Sequence, residues 1–219
     1  MKPPARRKRQ RRPATLPFAA AKWRSITCSS RSYRIDIGRL QTVTGVICES
    51  LGVGDYALAI NFVSSPKIRQ LNRQFRGKDR PTDVLSFPQN EWKAPLRIRK
   101  VGKVGRAYVR QGGAGEFETG KNGKRVTLAG PPPVLGDVII SLSEAERSAK
   151  CLGQPLAREV CFLLAHGILH LCGHDHQLPE DERRMRLAQR SLMRRLTPPG
   201  VQPIWQKTVL RRRRPLRSH

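Results

Sequence analysis

His166-Gly-Ile-Leu-His170-Leu-Cys-Gly173-His174-Asp175-His176 holds four of the chain's five histidines in eleven residues. The stretch closes a helix expected to start at Pro155 and end near Cys172. On that helix His166 and His170 stand four apart, one turn along the same face, close enough for both imidazoles to share one cation. Gly173 stops the helix, because glycine accepts the left-handed backbone that a helix end requires. The chain then turns back and can bring His176 to the same ion. Three neutral imidazoles leave a fourth position open, the arrangement of a catalytic rather than a structural zinc site. His174 competes with His176 for the third place, and Asp175 is a candidate carboxylate for orienting a ligand histidine.

The spacing is that of the metzincin metalloproteases, with one departure. Their first histidine is followed by a glutamate that acts as general base. Here Gly167 occupies that position, which argues against a peptidase working through such a glutamate.

Outward from this helix the pattern alternates between strands and helices. Pro179–Leu196 is expected to be a helix opened by Glu180, Asp181 and Glu182 at its positive end and stopped by Pro198, Pro199 and Gly200. Ser143 with Glu146 has the form of a capping box for a helix reaching about Cys151. Gly136–Ser141, Thr82–Phe87 and Tyr56–Val63 read as apolar strands, and 33–37 as a shorter one. Ser64 or Ser65 opens a helix with Pro66 in its first turn, running to about Arg76. Residues 39–51 place Leu40, Val43, Ile47 and Leu51 at helical spacing. The stretch 89–134 interrupts this order with eight glycines, ten Lys/Arg and the Pro131-Pro132-Pro133 triplet. Within it, Asn122-Gly123 has the form of a two-residue hairpin turn.

The charge is as uneven as the pattern. Of 219 residues, 43 are Lys or Arg and 16 are Asp or Glu, a formal net charge of +27. Residues 1–34 hold eleven basic and no acidic residues, and 183–219 hold twelve basic and none acidic. A near-neutral core with basic attachments predicts a polyanionic partner, nucleic acid first and an anionic membrane surface second, with much of the affinity residing in the ends. No apolar run is long enough for a membrane span. The five cysteines form no framework and no apolar leader is present, so an intracellular, cytoplasmic protein is expected. The alternative is a mitochondrion or plastid, if the Arg- and Ser-rich N-terminus is a transit peptide.

Three stretches together resemble the YbeY family of rRNA-maturation endoribonucleases. The first is the histidine stretch. The second is Leu71-Asn-Arg-Gln-Phe-Arg76-Gly-Lys-Asp79-Arg-Pro81-Thr82-Asp83-Val-Leu-Ser86-Phe87-Pro88. The third is Leu135-Gly136-Asp137-Val-Ile-Ile-Ser141, and all three occur in the family's order. The resemblance implies an α+β fold, a small mixed β-sheet with packed helices around a zincin-like three-His metal site. It divides the chain into a basic N-terminal extension (1–32), a catalytic domain (33–198) carrying a basic Gly-rich insertion (89–134), and a basic C-terminal tail (199–219). It implies one zinc ion on His166, His170 and His176, no small organic cofactor and no membrane. It also implies an arginine that maps to Arg76. A guanidinium there can hold a scissile phosphate and offset charge in the transition state. In a helix's last turn it also suits the dipole. The implied substrate is rRNA and the implied partner the ribosomal small subunit.

The expected function is therefore a single-strand-specific, metal-dependent endoribonuclease in rRNA maturation and ribosome quality control. No carboxylate base sits in the motif, so an attacking water and the RNA's own 2′-hydroxyl both stay open as nucleophiles. Two other readings compete. One is a zinc hydrolase of another substrate such as a peptide. The other is a non-catalytic ribosome-assembly factor whose zinc takes a fourth protein ligand, His174 or Cys172.

Overall fold

The computed structural model describes residues 24–30, 32–99, 131–197 and 203, and the backbone of 211–212. Four strands form a mixed sheet in the order β1-β3-β5-β4. They are β1 (Arg24–Cys28), β3 (Ala57–Val63), β5 (Val134–Ser141) and β4 (Val84–Pro88). The β1–β3 and β3–β5 pairs are parallel, and β4 runs antiparallel along β5. A short strand β2 (Tyr33–Arg34) pairs with β6 (Arg211–Arg212) outside this sheet. Five helices pack around the sheet: α1 (Ile37–Leu51), α2 (Ser65–Arg76), α3 (Leu142–Cys151), α4 (Leu156–Leu171) and α5 (Pro179–Leu196).

The sheet is built on strict alternation. Leu58, Ile60 and Phe62 of β3 are buried, and their neighbours Ala59 and Asn61 are half-buried, as the two faces of a pleated strand require. In β5, Val138 and Ile140 continue the same layer. On the covered side, α1 buries its predicted stripe of Leu40, Val43, Ile47 and Leu51. Each such side chain contributes about 1.5–3 kcal/mol when fully withdrawn from water. At the centre lies α4, which touches β4, β5, α1, α3 and α5. Its residues Val160, Cys161, Leu164, Ala165, Ile168 and Leu169 are wholly buried. A helix clamped on so many sides is a rigid mount for whatever its remaining face carries. Pro88 ends β4 on the edge of the sheet, where a missing N–H breaks no ladder.

Several expectations need correction. The sheet begins inside the stretch 1–32 assigned to an extension, because β1 pairs with β3 over five residues. The 33–37 strand is only two residues long, since Asp36 caps α1 by accepting the Arg39 N–H at 3.0 Å. The capping serine of α3 is Ser141, not Ser143. Its Oγ faces the Glu144 N–H at 3.5 Å, so the serine-to-glutamate signature applies two residues earlier.

The stretch 89–134 is not wholly outside the core. Residues 89–99 lie as a strap across it, with Trp92, Leu96 and Ile98 half-buried against the core. The strap is tied by the Leu96 N–H to Cys172 O at 3.1 Å and the Arg99 N–H to Ser50 O at 2.8 Å. At the other end, Val134 already belongs to β5. Residues 211–212 of the expected tail form β6. The hairpin expected at Asn122-Gly123 lies outside the described residues.

Removing residues 1–32 strips the edge strand β1 and is expected to cost on the order of 3 kcal/mol, at ~0.5–1.5 per ladder hydrogen bond. Thermal melts of the wild type and the truncated protein check this, and equal melting points would place β1 outside the cooperative unit.

Candidate metal centre

His166 and His170 project from the one face of α4 that is not packed away, and both are half-buried. Gly173 adopts φ +83°, the left-handed conformation that ends the helix and reverses the chain. The reversal returns His176 to the same point. One ring nitrogen from each of His166, His170 and His176 lies within 4.8 Å of the others. The ring centroids are 4.7 Å apart for His166–His170, 5.0 Å for His170–His176 and 5.6 Å for His166–His176.

The hydrogen bonds fix which nitrogens face inward. His170 Nδ1 is 2.9 Å from the His174 carbonyl, which only accepts, so Nδ1 carries the proton and Nε2 the lone pair. Gln189 Nε2 donates to Phe162 O at 3.0 Å, which leaves its Oε1 to accept from His166 Nδ1 at 3.3 Å. His166 therefore also presents a bare Nε2. The two Nε2 atoms lie 3.2 Å apart. Two lone pairs at that distance repel unless a cation sits between them. Two imidazoles bound at ~2.05 Å to a tetrahedral ion stand about 3.3 Å apart, so the donors fit a metal ion.

Burial adds to the fit. It lowers the His166 pKa from its usual 6.5. It lowers that of His170 to about 4, with the neighbouring His166 and His176 rings adding to the effect. Both rings are therefore neutral ligands near neutral pH, with no proton to displace.

That shift predicts a pH dependence for the metal-free protein. Between about 6.5 and about 4 the unfolded chain binds the His170 proton and the folded chain does not. This contribution to stability is therefore complete above 6.5, declines as the pH falls and levels off near 4. Thermal melts of chelator-stripped wild type and His170→Gln check it. The wild type should lose more stability than the variant between pH 7 and pH 4.5, and parallel losses would contradict the assignment.

The competitors for the third position turn elsewhere. His174 is buried, and its Nε2 donates to the Leu96 carbonyl of the strap at 2.8 Å. Cys172 is wholly buried in the hydrophobic core, and burial raises its thiol pKa. Asp175 accepts the His176 backbone N–H at 2.8 Å, shaping the loop rather than holding a ring. Arg76 is the last residue of α2, exposed, and its positive charge is felt at His166 together with the negative charge of Asp83.

Three contributors escaped the sequence reading. Gln189 holds the His166 tautomer from α5, 23 residues away. Its signal was a polar residue on the buried stripe Met185–Gln189–Leu192–Leu196. Leu96 holds His174 in place, and Trp92 donates Nε1–H to Leu171 O at 2.7 Å, but nothing in the basic, loop-like composition of 89–99 distinguishes either.

Gly167 carries a further constraint. A Cβ there would stand 2.7 Å from Val138 Cγ1 and 3.1 Å from Ser86 Oγ. Helix α4 lies so close on β4 and β5 that only a hydrogen fits. Gly167→Ala is therefore expected to lower stability. Overpacking costs about 1–3 kcal/mol, against ~1 kcal/mol gained in helix propensity. A thermal melt decides the sign, and a higher melting point would show that the sheet yields.

The mixed sheet and the three convergent imidazoles define an α+β protein with a three-histidine site able to hold one metal ion. Residues 26–197 match the Endoribonuclease YbeY family, and the chain belongs to that family. It is similar to the Endoribonuclease YbeY of Halalkalibacterium halodurans, 36% identical over 145 residues, covering 66% of this chain and 75% of the relative. It is also similar to that of Geobacillus thermodenitrificans, 35% identical over 161 residues, covering 72% and 86%. The solution structure of TM1509 from Thermotoga maritima is similar with a TM-score of 0.47 and 23% identity, over 78% of this chain and 87% of that one.

Proposed function

We propose that the protein is a zinc-dependent endoribonuclease that cuts unpaired rRNA during maturation and quality control of the ribosome, acting on the small subunit in the cytoplasm. The observation that carries this is the meeting of His166, His170 and His176 at one point, with the bare Nε2 atoms of His166 and His170 turned inward. His166, His170 and His176 hold the ion. When bound, zinc supplies Lewis acidity at the scissile phosphodiester.

The chain's own residues do the rest. Gln189 and the His174 carbonyl keep Nδ1 of His166 and His170 protonated, so neither ring flips out of its ligating orientation. Arg76 holds the scissile phosphate and offsets the charge that develops on its oxygens.

The two rival readings lose support at particular atoms. A structural zinc needs a fourth protein ligand; His174 is committed to the Leu96 carbonyl, and the side chains placed to share one ion among the described residues are His166, His170 and His176. A peptidase of the metzincin type needs a glutamate where Gly167 has no room for a side chain. The test is cleavage of end-labelled rRNA by metal-quantified protein, stripped and then reloaded with zinc. Cleavage that appears only on reloading, and is faster on unpaired segments, is expected. Equal cleavage by stripped and reloaded protein, or none by either, would sink the proposal.

A further inference from the structure

We infer that the groove between α4 and α5 is a binding track for unpaired RNA, in which a base lies on Phe162 and the flanking phosphates lie against Arg190 and Arg194. Its placement beside the metal centre rests on the endoribonuclease reading; its chemistry does not. The groove is open, has a volume of about 350 Å³, and is lined by Arg158 and Phe162 of α4 and by Arg186, Arg190 and Arg194 of α5. Gln189 forms part of its wall.

Helix periodicity explains the arrangement. Arg158, Phe162, His166 and His170 recur every four residues along one face of α4, so the groove and the metal ligands form one continuous stripe. Arg186, Arg190 and Arg194 recur every four residues on α5 and face it across the groove. Arg186 is ion-paired with Glu182, and Arg158 bonds the Gln154 side chain. No carboxylate lines the groove among the described residues.

Phe162 is the unusual member. It is 40% exposed, whereas Phe62 is wholly buried. Its ring lies within 13° of parallel to that of His166, with centroids 6.4 Å apart. Gln189 braces both residues, donating to the Phe162 carbonyl and accepting from His166. An exposed aromatic ring lying beside His166 offers a base a flat surface, and every base has a π-face to lay on it. A base inside a duplex is already stacked and cannot do so, which is why the track selects unpaired strands. An acidic peptide would satisfy the arginines but would gain nothing from the aromatic ring beside the metal ligands.

The test uses the full chain stripped of metal, so that binding is read without cleavage. The probe is a labelled oligouridylate of about twelve nucleotides, within the ~4–16 nucleotides that single-strand sites span. The same strand annealed to its complement serves as the second probe, and polyglutamate as the third. Phe162→Ala is expected to weaken single-strand binding about 5- to 100-fold and to leave duplex binding unchanged. Phe162→Leu keeps the apolar bulk without the π-face and should show a similar loss, while Phe162→Tyr should bind like wild type.

Replacing Arg190 and Arg194 together by alanine should flatten the slope of log affinity against log salt by about 1.4, at ~0.7 per phosphate on a single strand. Wild-type affinity in both Phe162→Ala and Phe162→Leu, an equal loss on strand and duplex, an unchanged salt slope, or preferential binding of polyglutamate would each overturn the track. Cleavage by zinc-loaded protein is scored separately. A wild type that cleaves while the Phe162 variants bind normally overturns the track alone. Variants that lose binding beside a wild type that never cleaves overturn the nuclease reading and leave the track standing.

Discussion

His170→Ala protein is expected to hold zinc more than about a hundredfold more weakly than wild type and to lose RNA cleavage at any zinc concentration that leaves the site empty. Removing a mere outer-sphere partner of a ligand costs ~10–100-fold in affinity, and His170 contributes a donor atom itself. Its Nε2 stands 3.2 Å from that of His166, and no other described imidazole is placed to replace it. His174→Ala is the comparison. It removes the bond to the Leu96 carbonyl but keeps the backbone carbonyl that orients His170, so its zinc affinity should fall far less. Competition against a chromophoric chelator measures both affinities, and far-ultraviolet circular dichroism confirms that both variants are folded. Equal affinities in the two would move the ligand assignment away from His170.

Arg76→Lys is expected to slow cleavage nearly as much as Arg76→Ala, by on the order of a hundredfold, or ~3 kcal/mol, the worth of one well-placed donor to a developing oxyanion. Lysine keeps the charge and loses the planar fork that grips two phosphate oxygens at once. Arg76 is exposed at the end of α2, and Gly77 closes that helix through its own N–H to the Arg73 carbonyl at 3.1 Å. The helix end therefore does not depend on the Arg76 side chain, and both variants should keep wild-type zinc content and melting temperature. Single-turnover cleavage by metal-quantified proteins is the measurement. Wild-type rates in both would leave Arg76 with only a favourable interaction with the helix dipole.

The three convergent histidines were legible in the sequence because they are local. Two lie one helical turn apart, and the third follows a glycine whose conformation is dictated by its own missing side chain. The central strands were legible for a similar reason, since β3 alternates buried and half-buried positions within itself. What could not be read depends on distant partners. In β1, Arg24-Ser-Ile-Thr-Cys28 has no apolar alternation and only Arg24 is buried. It is a strand because β3 offers it a ladder, not because its own residues demand one. The strap 89–99 is dense in charge and looks like a loop, yet Trp92, Leu96 and Ile98 find apolar partners across the fold. Gln189 is separated from His166 by 23 residues, and only the docking of α5 against α4 joins them. Ser141 and Ser143 each precede a glutamate by three residues, so pattern alone had no means to choose between them.

The closeness of α4 to the sheet at Gly167 restricts the chemistry this scaffold can acquire by descent. A peptide hydrolase related by spacing differs at that position by one residue, yet no single substitution makes the exchange here. A glutamate would first have to push Val138 and Ser86 aside, and with them the strands that seat His166. Intermediates along such a path would lose their packing before gaining a base. The three-histidine arrangement can therefore be held in common by two lineages while the activities remain isolated from each other, separated by the thickness of one side chain.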